Sequence, residues 1–371
     1  MGAKVEQLRW TDIPLDEIAL PKAPLRLMLG LGSGLSARGG RLFAVTDRGP
    51  NLHVSQAVDA YGLTHLERLK NIKDAKVMPM PEAGPEIAEL VVDGLEVQLV
   101  GRLALRVAGA VGSGVRMSGR ALPGEEMEEV YGLDGVRLAT SVLGADTEAI
   151  AAMPDGGFIV AEEYGPSLLK VDATGVVSER WVAKGAEHGL QGDLPVRGVL
   201  PERVAKRRLN RGFEALCASK DGAFLYVGMQ SGLEGEDKHS APVWKLDAQT
   251  GELAGEWAYP FDAPETFLRD AERRKVGWKD LKVCEFAWAG NDQLIVLERI
   301  AHSAKIYLVD LARLPEKRLL LSSDDHREIG PDIEGMALVS PRELVICSDN
   351  DFGVEGEATG FWRITFGEDL A

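Results

Sequence analysis

Residues 146–163 read DTEAIAAMPDGGFIVAEE. Two short apolar runs flank the turn signal Pro-Asp-Gly-Gly at residues 154–157, and this pattern predicts a β-hairpin. The same order of features, from a small or acidic residue through two apolar runs to a polar cluster, recurs four more times. The other copies are residues 33–48, 212–230, 284–299 and 333–349. Recurrence of one hairpin pattern along a whole chain is typical of a repeat fold.

A second hairpin follows two of these copies, at residues 168–181 and 243–257. Two hairpins make four strands per repeat, which is the signature of a β-propeller blade. We therefore predict an all-β protein and a β-propeller with five clear blades. The gap between Ser33 and Glu148 is 115 residues, enough for one blade with insertions or for two compact blades, so a sixth blade is allowed.

The ends of the chain are predicted to complete the last blade. Residues 361–366 form its last strand, and an N-terminal strand near residues 7–10 supplies the missing one, which leaves no open edge. The prediction is one domain over residues 1–371, with the repeats over about residues 31–366. Two charged segments interrupt the repeat, and we expect a loop at 183–211 and a helical insertion at 262–280.

The charge balance restricts the ligands. The chain has 42 Lys and Arg against 58 Asp and Glu, a net charge of −16. Nucleic acids and anionic lipids bind basic surfaces, so neither is expected as a partner, whereas a cation is. No run of 18 apolar residues exists, so we expect no membrane span. We expect a monomer that binds a small molecule.

The cellular compartment depends on processing. The N-terminus lacks the apolar core of a signal peptide, so the chain is cytoplasmic, unless a signal peptide has been removed and the protein is periplasmic or secreted. Cys217, Cys284 and Cys347 each lie in an apolar run, and we predict buried free thiols.

The polar residues of the repeat are predicted to converge. In an antiparallel hairpin the start of the first strand lies beside the end of the second, which pairs Glu285 with Glu298, for example. The first strands of propeller blades line the central channel, so all five polar pairs should meet at one mouth. The residues predicted there as metal ligands are Asp47, Glu148, Glu163, Glu214, Glu298, Glu334, Asp349 and Asp351.

Carboxylates this close raise one another's pKa unless cations compensate them. Arg48 and Arg299 follow Asp47 and Glu298 directly and supply part of that charge. A hard cation with oxygen ligands, Ca²⁺ first and Mg²⁺ as the alternative, supplies the rest. The competing interpretation is that the carboxylates only accept backbone hydrogen bonds or pair with these arginines.

Five segments carry a family resemblance: residues 43–51, 210–216, 294–299, 333–337 and 348–353. They resemble the phytase-like family that is described by an esterase-like activity of phytase. The resemblance covers about residues 31–366 and implies a β-propeller from a bacterium, often exported. It also implies hydrolysis of phosphate or carboxylic esters, with several Ca²⁺ ions that hold phosphate in the true propeller phytases.

The hypothesis that follows is a metal-dependent hydrolase of phosphoesters or esters. Its metal ligands and general base are drawn from Glu148, Glu214, Glu285 and Glu334. Its substrate-binding residues are Arg48, Arg299, Gln230 and Asn210. Two alternatives stay open: a sugar-lactonase-like metal hydrolase, and a propeller that is not an enzyme but binds a ligand or partner and uses calcium for stability. Whether the chain is an enzyme is thus undecided by the sequence.

Overall fold

The structure is a computed structural model that describes residues 3–108, 114–124 and 128–371. Strands dominate it, because short apolar runs alternate with Gly, Asp and Asn turns along most of the chain. In chain order the strands are β1 (Lys4–Leu8), β2 (Pro14–Ile18), β3 (Leu25–Met28), β4 (Gly34–Arg38), β5 (Arg41–Val45), β6 (Leu52–His53), β7 (Lys76–Val77), β8 (Glu86–Asp93), β9 (Glu96–Ala104), β10 (Arg106–Val107), β11 (Val115–Arg116), β12 (Val130–Tyr131), β13 (Thr147–Ala152), β14 (Phe158–Glu162), β15 (Ser167–Val171), β16 (Val176–Ala183), β17 (Val196–Leu200), β18 (Phe213–Ala218), β19 (Phe224–Met229), β20 (Ser240–Asp247), β21 (Leu253–Pro260), β22 (Lys282–Gly290), β23 (Gln293–Arg299), β24 (Ala304–Asp310), β25 (Lys317–Ser322), β26 (Ile333–Ser340), β27 (Glu343–Ser348) and β28 (Phe361–Thr365).

Helical structure is sparse in the described residues. The two α-helices are α1 (Val54–Asp59) and α2 (Leu268–Arg273), and the second lies in the segment for which a helical insertion was predicted. The 3₁₀ turns are Thr64–Asn71, Ala186–Leu190, Glu202–Lys206, Pro264–Thr266, Trp278–Asp280, Leu311–Arg313, Ser323–Asp325 and Asp351–Gly353. None of the helices in this part of the chain is long and apolar enough to cross a membrane. The all-β prediction is therefore confirmed.

Five four-stranded antiparallel arrays correspond to the five repeat copies. Their strand orders are β4-β5-β8-β9, β13-β14-β15-β16, β18-β19-β20-β21, β22-β23-β24-β25 and β26-β27-β28-β1. The last order includes the expected pairing of the chain ends, with Lys4 opposite Thr365 and Leu8 opposite Phe361. The first strands contact one another in turn: β4 packs against β13, β13 against β18, β18 against β22, β22 against β26, and β26 against β4. This arrangement is of the β-propeller type.

Apolar clusters lie between neighbouring sheets. Along β13 the side chains alternate, so Ala149 and Ala151 pack in the cluster shared with the third sheet, whereas Ile150 packs in the cluster shared with the first. Both faces of the strand are thus buried, which explains its continuous apolar sequence. Cys217, Cys284 and Cys347 are buried free thiols, as predicted.

The insertions have more structure than the sequence pattern indicates. Residues 183–211 were expected to be a loop, but they contain β17, which pairs in parallel with the edge of β16. This pairing satisfies backbone groups on the edge of β16. Between β5 and β8 the chain forms α1 and the strands β6 and β7, which join β12 in a small separate sheet. In the described residues between 34 and 145, one four-stranded sheet is present.

Candidate functional site

A polar cavity of about 330 Å³ lies where the starts of the inner strands meet the ends of their partner strands. Eleven of the residues predicted as site residues line it. They are Asp47, Arg48, Glu148, Glu163, Asn210, Glu214, Gln230, Arg299, Glu334, Asp349 and Asp351. The convergence expected from the repeat is thus present for most of the predicted positions, although their chemical roles stay predictions.

Three glutamates reach the cavity from β-bulges. Glu148, Glu214 and Glu334 each occupy the extra position where the register of the first hairpin shifts by one residue. A bulge re-aims its side chain, here toward the cavity. In β22 the equivalent shift falls between Val283 and Glu285, so Cys284 stands where these three sheets have glutamate.

Glu285 is therefore not in the cavity, and the expectation that it converges there was wrong. Its one-residue offset from the bulge turns the side chain the other way. The carboxylate is fully buried and accepts hydrogen bonds from the backbone N–H groups of Leu35 (2.9 Å), Phe286 (3.0 Å) and Leu216 (3.3 Å). Burial raises its pKa well above the ordinary value. Glu285 links β4, β18 and β22, which is a structural role.

Glu298 also lies outside the cavity, because alternation along β23 sends Glu298 and Arg299 to opposite sides. Its carboxylate accepts hydrogen bonds from the Tyr259 hydroxyl (2.7 Å), the Asp262 backbone N–H (2.8 Å) and the Lys317 ammonium (2.7 Å). These bonds hold β21, β23 and β25 together. The expected position of Glu298 among the metal ligands was consequently wrong.

The two predicted anion-binding arginines are occupied by protein carboxylates. Arg48 Nη1 lies 2.7 Å from Glu128 Oε2 and 3.1 Å from Asp146 Oδ2, and it donates to the Tyr164 hydroxyl at 2.9 Å. Both Arg48 and Arg299 are almost completely buried. These arginines compensate the acidic residues, which matches part of the competing interpretation.

Arg299 makes an equivalent set of contacts in the fifth repeat. Its Nη1 lies 3.0 Å from Asp332 Oδ1, its Nη2 pairs with Glu334, and its Nε lies 3.2 Å from Cys284 Sγ. The Cys284 thiol in turn donates to Glu214 Oε2 at 3.1 Å. Cys284 therefore connects Arg299 to Glu214 in the wall of the cavity.

One group of carboxylates is close enough to share an ion. An oxygen from each of Asp47, Asp146 and Glu148 lies within 4.8 Å of the other two. Burial is the largest cause that raises the pKa of all three, and repulsion from Asp146 adds to it for Asp47 and Glu148. Arg48 is the arginine that lowers the pKa of Asp47 and Asp146 among the described residues. This group has more negative charge than its protein partners neutralise.

Two further oxygens in the cavity lack hydrogen-bond partners among the described residues. They are Glu163 Oε1 and Gln230 Oε1, on side chains that are 4% and 2% exposed. A buried polar atom without a partner is costly, and it usually indicates a missing ion, water or ligand. Carboxylate and amide oxygens are hard donors that suit Ca²⁺ or Mg²⁺. The donor set therefore fits the cation that the sequence analysis expected.

The remaining predicted residues also line the cavity. Asp349 accepts hydrogen bonds from Ser33 Oγ (2.6 Å) and from the Asp351 backbone N–H (2.8 Å), and burial raises its pKa to about 7. Asp351 and Asn210 are exposed and both have positive φ values, of 44° and 55°. Their polar side chains are thus available to a bound molecule.

Sequence reasoning missed several residues that line the cavity. Asp146 and Asp332 each stand two positions before a bulge glutamate, so the repeat itself contained a signal for them. Lys76 comes from the insertion between β5 and β8 and has no equivalent in the other repeats. The other basic lining residues that were not among the predicted site residues are Arg211, Arg274 and Lys282.

The chain is all-β, its fold is of the propeller type, and a carboxylate-rich cavity lies at one mouth of that fold. These features define the class of this protein. A family model described as "Phytase-like: Esterase-like activity of phytase" matches residues 28–352, which is most of the chain. The chain therefore belongs to this phytase-like family. No curated protein matches it significantly.

Solved structures resemble the chain only distantly. A luciferin-regenerating enzyme is 14% identical with a TM-score of 0.38, over 92% of this chain and 94% of the other. The PQQ-bound aldose sugar dehydrogenase of Streptomyces coelicolor is 11% identical with a TM-score of 0.37, over 98% of each chain. Hydrazine synthase of Kuenenia stuttgartiensis is 10% identical with a TM-score of 0.35 over 90% of this chain, which spans 57% of the enzyme's chain. Similarity this low carries no argument about activity.

Proposed function

We propose that the chain is a divalent-cation-dependent hydrolase of ester or phosphoester bonds, built as a closed ring of five blades. Membership of the phytase-like family supports hydrolysis. The contacts between successive first strands and the pairing of β1 with β28 support the ring and its blade count. The substrate enters the polar cavity, where most of the predicted site residues meet.

The observation that carries the proposal is the combination of the Asp47, Asp146 and Glu148 cluster with unpartnered oxygens in the same cavity. A Ca²⁺ or Mg²⁺ ion held by these three carboxylates relieves their mutual repulsion. Glu163 and Gln230 complete the coordination directly or through water, which satisfies their buried oxygens. When bound, such an ion polarises a substrate oxygen and lowers the pKa of a bound water.

The general base is assigned by elimination among the four predicted glutamates. Glu285 lies outside the cavity, Glu334 is paired with Arg299, and Glu148 belongs to the cation cluster. Glu214 is left, with one oxygen fixed by the Cys284 thiol and the carboxylate lining the cavity. A carboxylate held in this way takes a proton from an attacking water without being drawn into an ion pair.

The test is hydrolysis of p-nitrophenyl acetate, p-nitrophenyl phosphate and a panel of sugar lactones by protein stripped with EDTA and then titrated with Ca²⁺ or Mg²⁺. Turnover that disappears with EDTA and returns with the ion supports the proposal. A preference for lactones identifies the sugar-lactonase-like alternative. A large calcium-dependent rise in melting temperature without turnover on any substrate identifies the non-enzymatic binding alternative and overturns the proposal.

A further inference from the structure

Two basic side chains in the cavity differ from the buried arginines. Arg211 and Lys282 line the wall formed by the start of β22 and the residues before β18, and both are half-buried. Arg211 Nη2 donates to the backbone carbonyl of Lys279 (2.9 Å) and Nη1 to that of Leu281 (3.3 Å). These bonds fix the guanidinium beside the backbone that carries Lys282.

Neither side chain has a carboxylate partner. Within residues 3–108, 114–124 and 128–371, no Asp or Glu oxygen lies within ion-pair distance of Arg211 or of Lys282. Arg48 and Arg299, in the same cavity, each contact two carboxylates. Charge compensation of the acidic cluster therefore accounts for the two buried arginines but leaves Arg211 and Lys282 without a carboxylate partner among the described residues.

Lys282 nevertheless lines the same cavity as the carboxylates of Glu163 and Glu214. It lies opposite Arg299 in the pairing of β22 with β23, two residues before Cys284, whose thiol contacts Glu214. The unpaired positive charge thus lies in the cavity to which the proposed function assigns the chemistry.

We infer that Arg211 and Lys282 form a subsite for an oxyanion, and that the substrate is an ester carrying a carboxylate or phosphate group apart from the bond that is cleaved. The inference rests on the proposed function. A guanidinium fixed by backbone carbonyls keeps its remaining N–H groups oriented for a planar or tetrahedral oxyanion, and the lysine adds a mobile point charge. Neutral esters of the same size lack this contact and bind less well.

The test compares two esters with the same leaving group, neutral p-nitrophenyl acetate and anionic mono-p-nitrophenyl succinate. The variant Lys282→Met should lose roughly ten- to a hundredfold in kcat/KM on the succinate ester, the loss of one charge-assisted contact, and less than about threefold on the acetate. Lys279→Met is the matched control, because Lys279 is exposed and its side chain is outside the cavity. Arg211→Lys should give an intermediate loss, since it keeps the positive charge but removes the planar guanidinium with its oriented N–H groups.

A second measurement is independent of turnover. Calorimetric titration with succinate, and separately with inorganic phosphate, should show binding that Lys282→Met weakens and Lys279→Met does not. Equal losses on both esters, or equal behaviour of the two variants, would overturn the subsite while leaving hydrolysis intact. Succinate or phosphate binding that depends on Lys282, in a protein that cleaves no ester, would overturn the hydrolase and keep the subsite. Absence of both binding and turnover contradicts both proposals.

Discussion

Arg48 Nη1 lies 3.1 Å from Asp146 Oδ2, so a guanidinium that follows the second strand of one sheet pairs with a carboxylate just before the first strand of the next. Arg299 and Asp332 repeat this relationship at 3.0 Å between the fourth and fifth sheets. In both places the aspartate is followed two residues later by a bulge glutamate of the cavity. These two positions of the repeat therefore place acidic residues of the site beside the arginines that compensate them.

The Arg48 ion pairs should matter strongly for stability. Arg48→Met leaves the buried carboxylates of Glu128 and Asp146 without their cation, which typically costs about 3–5 kcal/mol. The exposed pair Arg26–Glu17 is the matched control, and Arg26→Met should cost at most about 1 kcal/mol. Urea denaturation of both variants gives the two free energies. Equal, small losses would show that the carboxylates of the site do not need Arg48.

Removal of Asp146 should weaken cation binding. Asp146→Asn preserves the shape of the side chain but removes one of the three clustered charges, and we expect Ca²⁺ affinity to fall by about tenfold or more. Calorimetric titration measures the affinity. Asp155→Asn, in an exposed turn, is the control and should leave it unchanged. Unaltered Ca²⁺ binding in Asp146→Asn would remove the cluster from consideration as a cation site.

The cation-free protein should lose stability as the pH rises. Burial raises the pKa of Asp349 from an ordinary 3.8 to about 7, so the folded state binds this proton more tightly than the unfolded chain does. The contribution of Asp349 to the free energy of unfolding is then greatest below about pH 4, and it is lost as the pH rises to about 7. The pKa values of Asp47, Glu148 and Glu163 are raised as well and act in the same direction.

Melting temperatures in EDTA, measured between pH 5 and pH 8, test this dependence. We expect a fall that Ca²⁺ reverses at pH 8 and that becomes shallower in Asp349→Asn. A melting temperature that rises steadily with pH in EDTA would mean that these carboxylates are already compensated within the protein.

Glu285 should affect the fold and not the chemistry. Glu285→Gln replaces one accepting oxygen by a donor that faces backbone N–H groups, so at least one hydrogen bond of a buried group is lost. We expect a loss of about 1–3 kcal/mol in the free energy of unfolding. Denaturant melts measure it, and kcat of the folded variant should change by less than about threefold. A large loss of kcat without destabilisation would return Glu285 to the site.

Glu214→Gln should show the opposite behaviour. Loss of a general base lowers kcat by about 10²–10⁴-fold, whereas the neutral amide still accepts the Cys284 thiol hydrogen bond. Initial rates on the best ester, with saturating cation, give kcat, and a melt run in parallel checks folding. Full activity in Glu214→Gln would assign the base elsewhere.

The comparison of Glu214 with Glu285 shows how far the sequence leads. Both glutamates stand at the start of the first apolar run in their copy of the repeat, so they look equivalent when the copies are aligned. The bulge decides otherwise, because the extra residue falls on Glu214 in one sheet and on Cys284 in the other. A one-residue offset turns a side chain to the other face of a strand, and no composition or spacing rule reveals where a bulge falls.

The charges show a similar limit. Arg48 and Arg299 were recognisable from their places beside acidic residues, but their partners Asp146 and Asp332 come from the following sheet. Arg211 and Lys282, which lack carboxylate partners in the described part of the chain, were not among the predicted site residues. Whether a basic side chain is already paired with a carboxylate or is available to a ligand depends on which groups the fold places within about 4 Å of it.

The sequence by itself determined that this chain is an all-β repeat protein with polar residues gathered at one end of its hairpins. Alternating apolar runs and Gly, Asp and Asn turns are local properties, and they suffice for strands and hairpins. Only the tertiary structure decided which carboxylates share the cavity and which basic side chains there lack a carboxylate partner among the described residues. Bulges set the direction of each side chain, and contacts between different sheets set its partners, and neither is encoded locally.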